Sequence, residues 1–248
     1  MKIKLPYFDR DGWRAAFAIW LVAFVIGHVS EPVWWIGVAI GFACLLFFRD
    51  PERIPPSKSR VVVSPADGII LKIADVEPPA ELELEGKRKK ISIFMSVLNV
   101  HVNRTPIAGV VEKILYVPGR FFNVTLDKAN EYNERQATFM KNEDGMELVF
   151  VQIAGLIARR IRCDISEGDE LGRGQRVGII RFGSRVDVYL PTDVSVLVEE
   201  GQITVAGETI LANYSDSYGK TENKKEKKSA NHNVKEKEKK NEKQKKIK

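Results

Sequence analysis

Two apolar runs open the chain, Ala15 to Val29 and Val33 to Phe48, separated by Ser30-Glu31-Pro32 and free of Asp, Glu, Lys and Arg. Apolar residues lie on all sides of each run at helical spacing, and a helix without a charged face is unusual on the surface of a soluble domain. The pattern predicts a helical hairpin over 15–48. From Val61 onward the apolar period shortens to two, the spacing of strands. Strand candidates are Val61–Val63, Ile69–Leu71, Lys90–Val97, Ala108–Val117, Met146–Ile153 and Arg159–Cys163. In Val186–Leu190 the apolar residues alternate with Asp187 and Tyr189, which predicts a half-buried strand. Glu167–Gly178 and Glu199–Thr209 look alike, each a Gly-punctuated turn followed by a short strand. No helical pattern follows Gly172-Arg173-Gly174, so that segment reads as a turn and not as a dinucleotide loop.

The predicted organisation is a basic segment 1–14, the hairpin 15–48, a Pro-rich linker 49–60, a mainly β domain 61–216 and a Lys-rich tail 217–248. Three prolines, Pro51, Pro55 and Pro56, prevent the second helix from continuing into the linker. Lys2, Lys4, Arg10 and Arg14 precede the first apolar run, and Arg49, Arg53, Lys58 and Arg60 follow the second. The connecting turn has no basic residue, so the positive-inside rule puts both ends of a membrane-associated hairpin on the cytoplasmic face of the cell membrane.

Net charge is +6, but Gly219 to Lys248 holds 13 Lys and 5 Glu, which leaves the rest with 26 basic and 28 acidic residues. The basic excess belongs to a low-complexity tail without aromatics, so a nucleic-acid partner is not expected. Such a tail can add attraction to anionic lipid. Cys44 and Cys163 cannot make a disulfide framework and have no ligand at metal spacing, so no metal site is expected.

The candidate chemistry centres on Arg181-Phe182-Gly183-Ser184-Arg185-Val186, a Gly-Ser pair leading into a strand. Glycine leaves its carbonyl carbon open, so the Ser184 hydroxyl can attack the peptide bond on its own N-terminal side. Of three histidines, His28 falls in the hairpin and His232 in the tail. If the β domain uses an imidazole near neutral pH, His101 is the candidate. Asp67 lies in Ser64-Pro65-Ala66-Asp67-Gly68, where Asp-Gly is by itself a favoured hairpin turn.

These two motifs together resemble the phosphatidylserine decarboxylases, pyruvoyl enzymes that cut themselves at a Gly-Ser bond, and more narrowly the short branch of that family. Two departures stand out. Phe182 and Arg185 flank the reacting pair where the common motif has Leu and Thr, and Arg104 falls where larger members carry a second histidine. The resemblance implies cleavage between Gly183 and Ser184, with Asp67 as orienter, His101 as base and Ser184 as nucleophile. It also implies a covalent pyruvoyl cofactor (pyruvate) derived from Ser184. A substrate amine would condense with it as a Schiff base, and phosphatidylserine would be converted to phosphatidylethanolamine and CO₂. Arg104 and Arg185 are candidate substrate contacts, since guanidinium recognises phosphate well. Asn133-Glu134-Arg135 matches a family triplet, with a substrate or packing role.

Expected partners are the phospholipid, the membrane and the chain's own two fragments as a heterodimer, with a homo-oligomer left open. The two Gly-rich turns further resemble biotinyl and lipoyl carrier domains, which implies a hammerhead barrel-sandwich fold. Two alternatives remain: a non-catalytic membrane-anchored lipoyl-like module, and a pyruvoyl decarboxylase of a soluble amino acid. No Met-Lys-Met-like tip is present for the first, and the hairpin argues against the second.

Overall fold

The computed structural model describes residues 7–28, 30–119, 133–155, 160–181 and 184–215. Gly183, Phe182, most of the polar stretch before Arg135 and the whole Lys-rich tail 217–248 lie outside the described residues. The described chain begins with β1 (Tyr7–Phe8), α1 (Arg10–Gly27), α2 (Glu31–Phe47) and β2 (Arg49–Asp50). Helix α1 starts ahead of the apolar run because Asp9 caps it, its carboxylate accepting from the Asp11 amide at 2.9 Å. Pro32, read above as part of the separating turn, instead lies in the first turn of α2, where a missing N–H breaks no helical bond.

The two helices pack on each other through small residues. A Cβ added at Gly37 would fall 2.2 Å from the Ala23 Cβ, and one at Gly41 would fall 2.0 Å from the Trp20 indole nitrogen. The remaining faces stay apolar and open, with Phe17, Leu21, Val25, Trp35, Ile36 and Ile40 each about half exposed or more. Among the described residues, no helix is long and apolar enough to cross a membrane.

The rest is mainly β. The strands are β3 (Val61–Val63), β4 (Gly68–Val76), β5 (Arg88–Met95), β6 (Val102–Arg104), β7 (Gly109–Val117), β8 (Arg135–Lys141), β9 (Glu147–Ala154) and β10 (Ile161–Cys163). There follow β11 (Glu170–Leu171), β12 (Arg176–Ile180), β13 (Ser184–Leu190), β14 (Ser195–Val196), β15 (Ile203–Thr204) and β16 (Ile210–Asn213). Eight of them form one sheet in the order β11-β7-β8-β9-β13-β5-β4-β15, and two three-stranded sheets, β10-β12-β6 and β14-β16-β3, complete the body.

That order is palindromic. Exchanging β4 with β7, β5 with β8, β13 with β9 and β15 with β11 reproduces it, so an approximate two-fold axis passes between β9 and β13. The turn contacts obey the same exchange. Gly174 donates to Thr105 as Gly207 donates to Ser64, and Ile114 donates to the Glu167 carboxylate as Ile73 donates to that of Glu200. At the axis the halves cross, Val63 donating to Pro106 and Arg104 to Pro65, each at 2.9 Å. The two look-alike Gly turns therefore occupy equivalent places. Ser64–Gly68 and Thr105–Gly109 form a second such pair. Asp67-Gly68 consequently turns a corner between sheets, since β3 pairs with β16 while β4 pairs with β5 and β15.

One half, β6 to β12, is inserted in the chain between β5 and β13 of the other. Ile70, Ile91, Ile93, Val111, Phe150, Val186, Val188 and Leu190 fill the main core with at most 1 % exposure. Each such side chain is worth about 1.5–3 kcal/mol of burial. Strand β13 is buried along its whole length, on both faces, which differs from the half-buried strand expected. The cause is a second apolar layer, in which Tyr189 packs with Leu82, Val149, Val151 and Ile153. Arg185 and Asp187 share that face as an ion pair, Nε to Oδ1 2.9 Å.

The Pro-rich stretch 49–60 lies strapped to the β body. Buried Asp50 takes the Arg104 guanidinium at 2.6 Å and also pairs with Arg176. Arg53 pairs with Asp67 at 2.7 Å, and Arg173 donates to the Pro56 carbonyl.

Candidate active site

The insertion of one half into the other creates two crossings, Ser96–His101 after β5 and Arg181–Gly183 before β13. Ser184 opens β13 opposite Met95, the last residue of β5, so both crossings leave the same end of the sheet. At the equivalent place in the other half, β8 and β9 are joined by a tight turn in which Met146 donates to Asn142 Oδ1 at 2.8 Å. Ser184 thus occupies a hairpin position that the insertion has opened.

The first crossing is a closed turn. Asn99 donates to the Ser96 carbonyl at 2.9 Å, and the Ser96 amide and hydroxyl both donate to Asn99 Oδ1. The turn delivers His101 into a fully buried position, with Phe47 of α2 against its ring at 4.3 Å between centroids. His101 Nδ1 lies 3.0 Å from the Asn99 carbonyl. A carbonyl can only accept, so Nδ1 carries the proton and Nε2 is left with a free lone pair. Nε2 is buried and has no hydrogen-bond partner among the described residues. Burial, the largest influence, pushes the imidazole down to about 4; the Asn99 hydrogen bond opposes this and the nearby Arg49 charge adds to it. The ring is neutral at neutral pH, with its basic nitrogen unspent. Arg49 also donates to the carbonyls of Leu46 and Leu98, at 2.7 and 2.6 Å, clasping the end of α2 to this turn.

Ser184 is fully buried, and its hydroxyl donates to Met95 Sδ at 3.3 Å. A thioether is a weak acceptor, so the hydroxyl proton is held loosely. Asn103, also fully buried, has its Nδ2 at 3.7 Å from the same sulfur and 3.5 Å from the Pro65 carbonyl. Gln152 donates to Asn103 Oδ1 at 2.8 Å, and Gln136 donates to Gln152 Oε1 at 3.2 Å. On the strand beside Ser184, Ala154 accepts from Asn133 Nδ2 at 2.9 Å. The second crossing is anchored by Arg181, which donates to Asp11 of α1 at 2.7 Å; Arg162 donates to Asp9 and Asp11, each at 2.6 Å.

The remaining candidates fall elsewhere. Asp67 accepts from Arg53 and from the Ala206 amide, both at 2.7 Å, so the Asn99 carbonyl occupies the place on His101 that a triad gives to a carboxylate. Arg104 is 5 % exposed and committed to Asp50, the Pro51 carbonyl and the Gly174 carbonyl. Arg185 is buried with Asp187 on the sheet face opposite Val186 and Val188. In the triplet, Asn133, Glu134 and Arg135 are all buried, and Glu134 accepts from the Ile161 amide at 3.1 Å. A groove of about 1200 Å³ opens between Arg60, Lys141, Glu170 and Tyr214, and neither Ser184 nor His101 lines it. Its mixed charges converge on no reactive group, so it is not the centre of the chemistry. Sequence reasoning passed over Phe47, Asn103, Gln136, Gln152 and Asp11. A detectable signal existed for Gln152, a polar residue inside the apolar run Leu148–Ala154.

The family model for phosphatidylserine decarboxylase matches residues 41–212. The chain is 47 % identical over 212 residues to the phosphatidylserine decarboxylase proenzyme of Paramagnetospirillum magneticum, covering 85 % of this chain and 88 % of that one. It is 48 % identical over 206 residues to the proenzymes of Rickettsia felis and Rickettsia typhi, covering 83 % of this chain and 89 % of each relative. With a family match over most of its length and relatives at nearly half identity, the chain belongs to the phosphatidylserine decarboxylase family.

Proposed function

We propose that the chain is a proenzyme that cuts itself between Gly183 and Ser184 and matures into a decarboxylase of phosphatidylserine. The observation that carries the reading is the buried Nε2 of a neutral His101, unpartnered among the described residues, at the sheet end where Ser184 begins its strand. In maturation His101 accepts the Ser184 hydroxyl proton while Oγ bonds to the Gly183 carbonyl carbon. The C–N bond then breaks, and the proton passes to the released nitrogen, leaving an ester. Loss of the Ser184 α-proton expels the Gly183 carboxylate, and hydrolysis of the remaining enamine releases ammonia. Both reacting groups belong to one chain, which supplies the proximity an amide needs in order to break.

The site's residues fit a pyruvoyl group at position 184: a dry surround, a soft neighbour in Met95 and a basic nitrogen not already paired. Such a group supplies a ketone next to an amide carbonyl, an electron sink for the carbon that loses CO₂. His101 is the group that returns a proton to that carbon, and the Asn99 carbonyl keeps its tautomer fixed. Asp67 serves through Arg53 and Ala206, holding the corner 64–68 in shape.

The half-exposed apolar faces of α1 and α2 favour a helix pair lying in the surface of a bilayer beside the site, and the basic residues flanking the pair favour its cytoplasmic face. Strand β13 runs between β5 and β9, and β16 pairs with β3, which favours two fragments that remain one folded body after cleavage. The paired turns and palindromic sheet favour the likeness to biotinyl and lipoyl carriers. The test compares purified protein with a Ser184→Ala variant on vesicles of phosphatidylserine and on free serine. Cleavage into 183- and 65-residue pieces with CO₂ release from vesicles is expected only of the parent. An uncut parent, or turnover of free serine at an equal rate, contradicts the proposal.

A further inference from the structure

We propose that the side-chain amide of Asn103 is the oxyanion donor of the self-cleavage, an inference that rests on the reading above. Asn103 is fully buried on β6, and its amide is held one way round. Gln136 donates to Gln152 Oε1, so Gln152 turns its NH₂ toward Asn103 and donates to Asn103 Oδ1 at 2.8 Å. This relay leaves Asn103 Nδ2 pointing the other way. There its contacts among the described residues are 3.5 Å to the Pro65 carbonyl and 3.7 Å to Met95 Sδ.

Buried N–H···O donors are nearly always satisfied at distances near 2.9–3.0 Å, so a two-proton donor whose oxygen contact is stretched to 3.5 Å and whose other acceptor is a weak thioether can still serve a stronger acceptor. Its second neighbour identifies the region. Met95 Sδ is also the acceptor of the Ser184 hydroxyl, so the amide and the nucleophile converge on one sulfur atom.

When Oγ adds to the Gly183 carbonyl carbon, the C=O π pair moves onto that oxygen as negative charge, and the hydroxyl proton goes to His101. No bond to Asn103 forms or breaks. The amide N–H stabilises the charged oxygen and relaxes when the C–N bond breaks and the carbonyl returns. A donor preset by a buried relay needs no reorganisation at that moment, which is where such groups are most effective.

The test uses the full-length chain and follows the appearance of fragments by denaturing electrophoresis, a readout independent of decarboxylation. Asn103→Asp keeps Oδ1 for Gln152, removes the donor and, when ionised, places a negative charge there. At pH 7 it is expected to cleave about 100-fold more slowly than the parent, the loss typical of one missing oxyanion donor. Lowering the pH should restore part of the rate, because a buried carboxyl protonates above its usual range and then donates. The parent should show no such rise.

Folding is controlled by melting both chains in a Ser184→Ala background. Should the Asp variant melt markedly lower, the pair Asn103→Thr and Asn103→Val replaces it. The two are alike in shape, and only the first donates, so Thr is expected to cleave at least tenfold faster. Cleavage of Asn103→Asp at the parental rate, a slow rate without recovery at lower pH, or equal rates for Thr and Val would each overturn the proposal. A parent that never cleaves fails the broader reading instead, so the two failures are told apart.

Discussion

Protonating His101 should cost the folded chain a measurable and localised amount of stability. Burial among Phe47, Val100 and the turn 96–99 lowers the imidazole from its ordinary 6.5 to about 4. A histidine lowered on folding binds its proton more weakly in the native than in the unfolded chain, so stability rises with pH across that window. The contribution is fully present above pH 6.5 and is lost as pH falls toward 4. Below that, both states are protonated and the difference stops growing. At about 1.4 kcal/mol per pH unit, the interval amounts to about 3 kcal/mol.

The assay is denaturant unfolding between pH 7 and 4 in a Ser184→Ala background, where the chain stays in one piece. His101→Phe, which suits the neighbouring Phe47 ring, is the comparison. The parent is expected to lose about 3 kcal/mol more than the variant across the window. The cleavage rate of the native sequence should meanwhile hold its plateau down to about pH 5, below the range where a free imidazole is already protonated. Equal pH slopes in the two chains, or a His101 ring titrating near 6.5 by NMR, would refute the argument.

Other outcomes follow from the same geometry. Asp50→Ala strips Arg104 of its buried partner and should lower unfolding free energy by about 3–5 kcal/mol, read by denaturant titration; a loss below 1 kcal/mol would show the pair to be dispensable. Arg181→Gln releases the upstream side of the scissile segment from Asp11 and should slow self-cleavage about tenfold or more, while unchanged kinetics would remove α1 from the cutting machinery. Phe17→Asp with Trp35→Asp, both on exposed faces, should leave melting unchanged and abolish co-sedimentation with phosphatidylserine vesicles; undiminished sedimentation would place the lipid contact elsewhere.

The apolar pattern made the β domain, both helices and most strand positions legible, because periodicity reports directly on which side chains face a core. Helix ends were displaced where capping chemistry won: Asp9 and Pro32 start helices that hydropathy alone puts later. The likeness of the two Gly-rich turns was visible, yet its consequence was not. That two halves interlock and leave Met95 and Ser184 facing across an opened hairpin depends on pairings far apart in sequence.

The site divides similarly. Ser184 and His101 stand out by type and by motif, and each proves buried at the same sheet end. The partner of His101 is a main-chain carbonyl, which no side-chain pattern announces, whereas Asp67 and Arg104 spend their charge on the strap 49–60. Charged residues next to a proline-rich stretch read as solvated until the stretch is seen lying against the sheet. Asn103 escaped notice because one amide in a three-residue strand carries no motif.

The measurement that bears most directly on the account is mass spectrometry of the smaller fragment from active protein. The account predicts a piece beginning at position 184, lighter by one ammonia than the same piece with a serine terminus, blocked to Edman sequencing and reactive toward a hydrazine. An intact chain of 28.0 kDa, or a fragment starting with an unmodified serine, would contradict it.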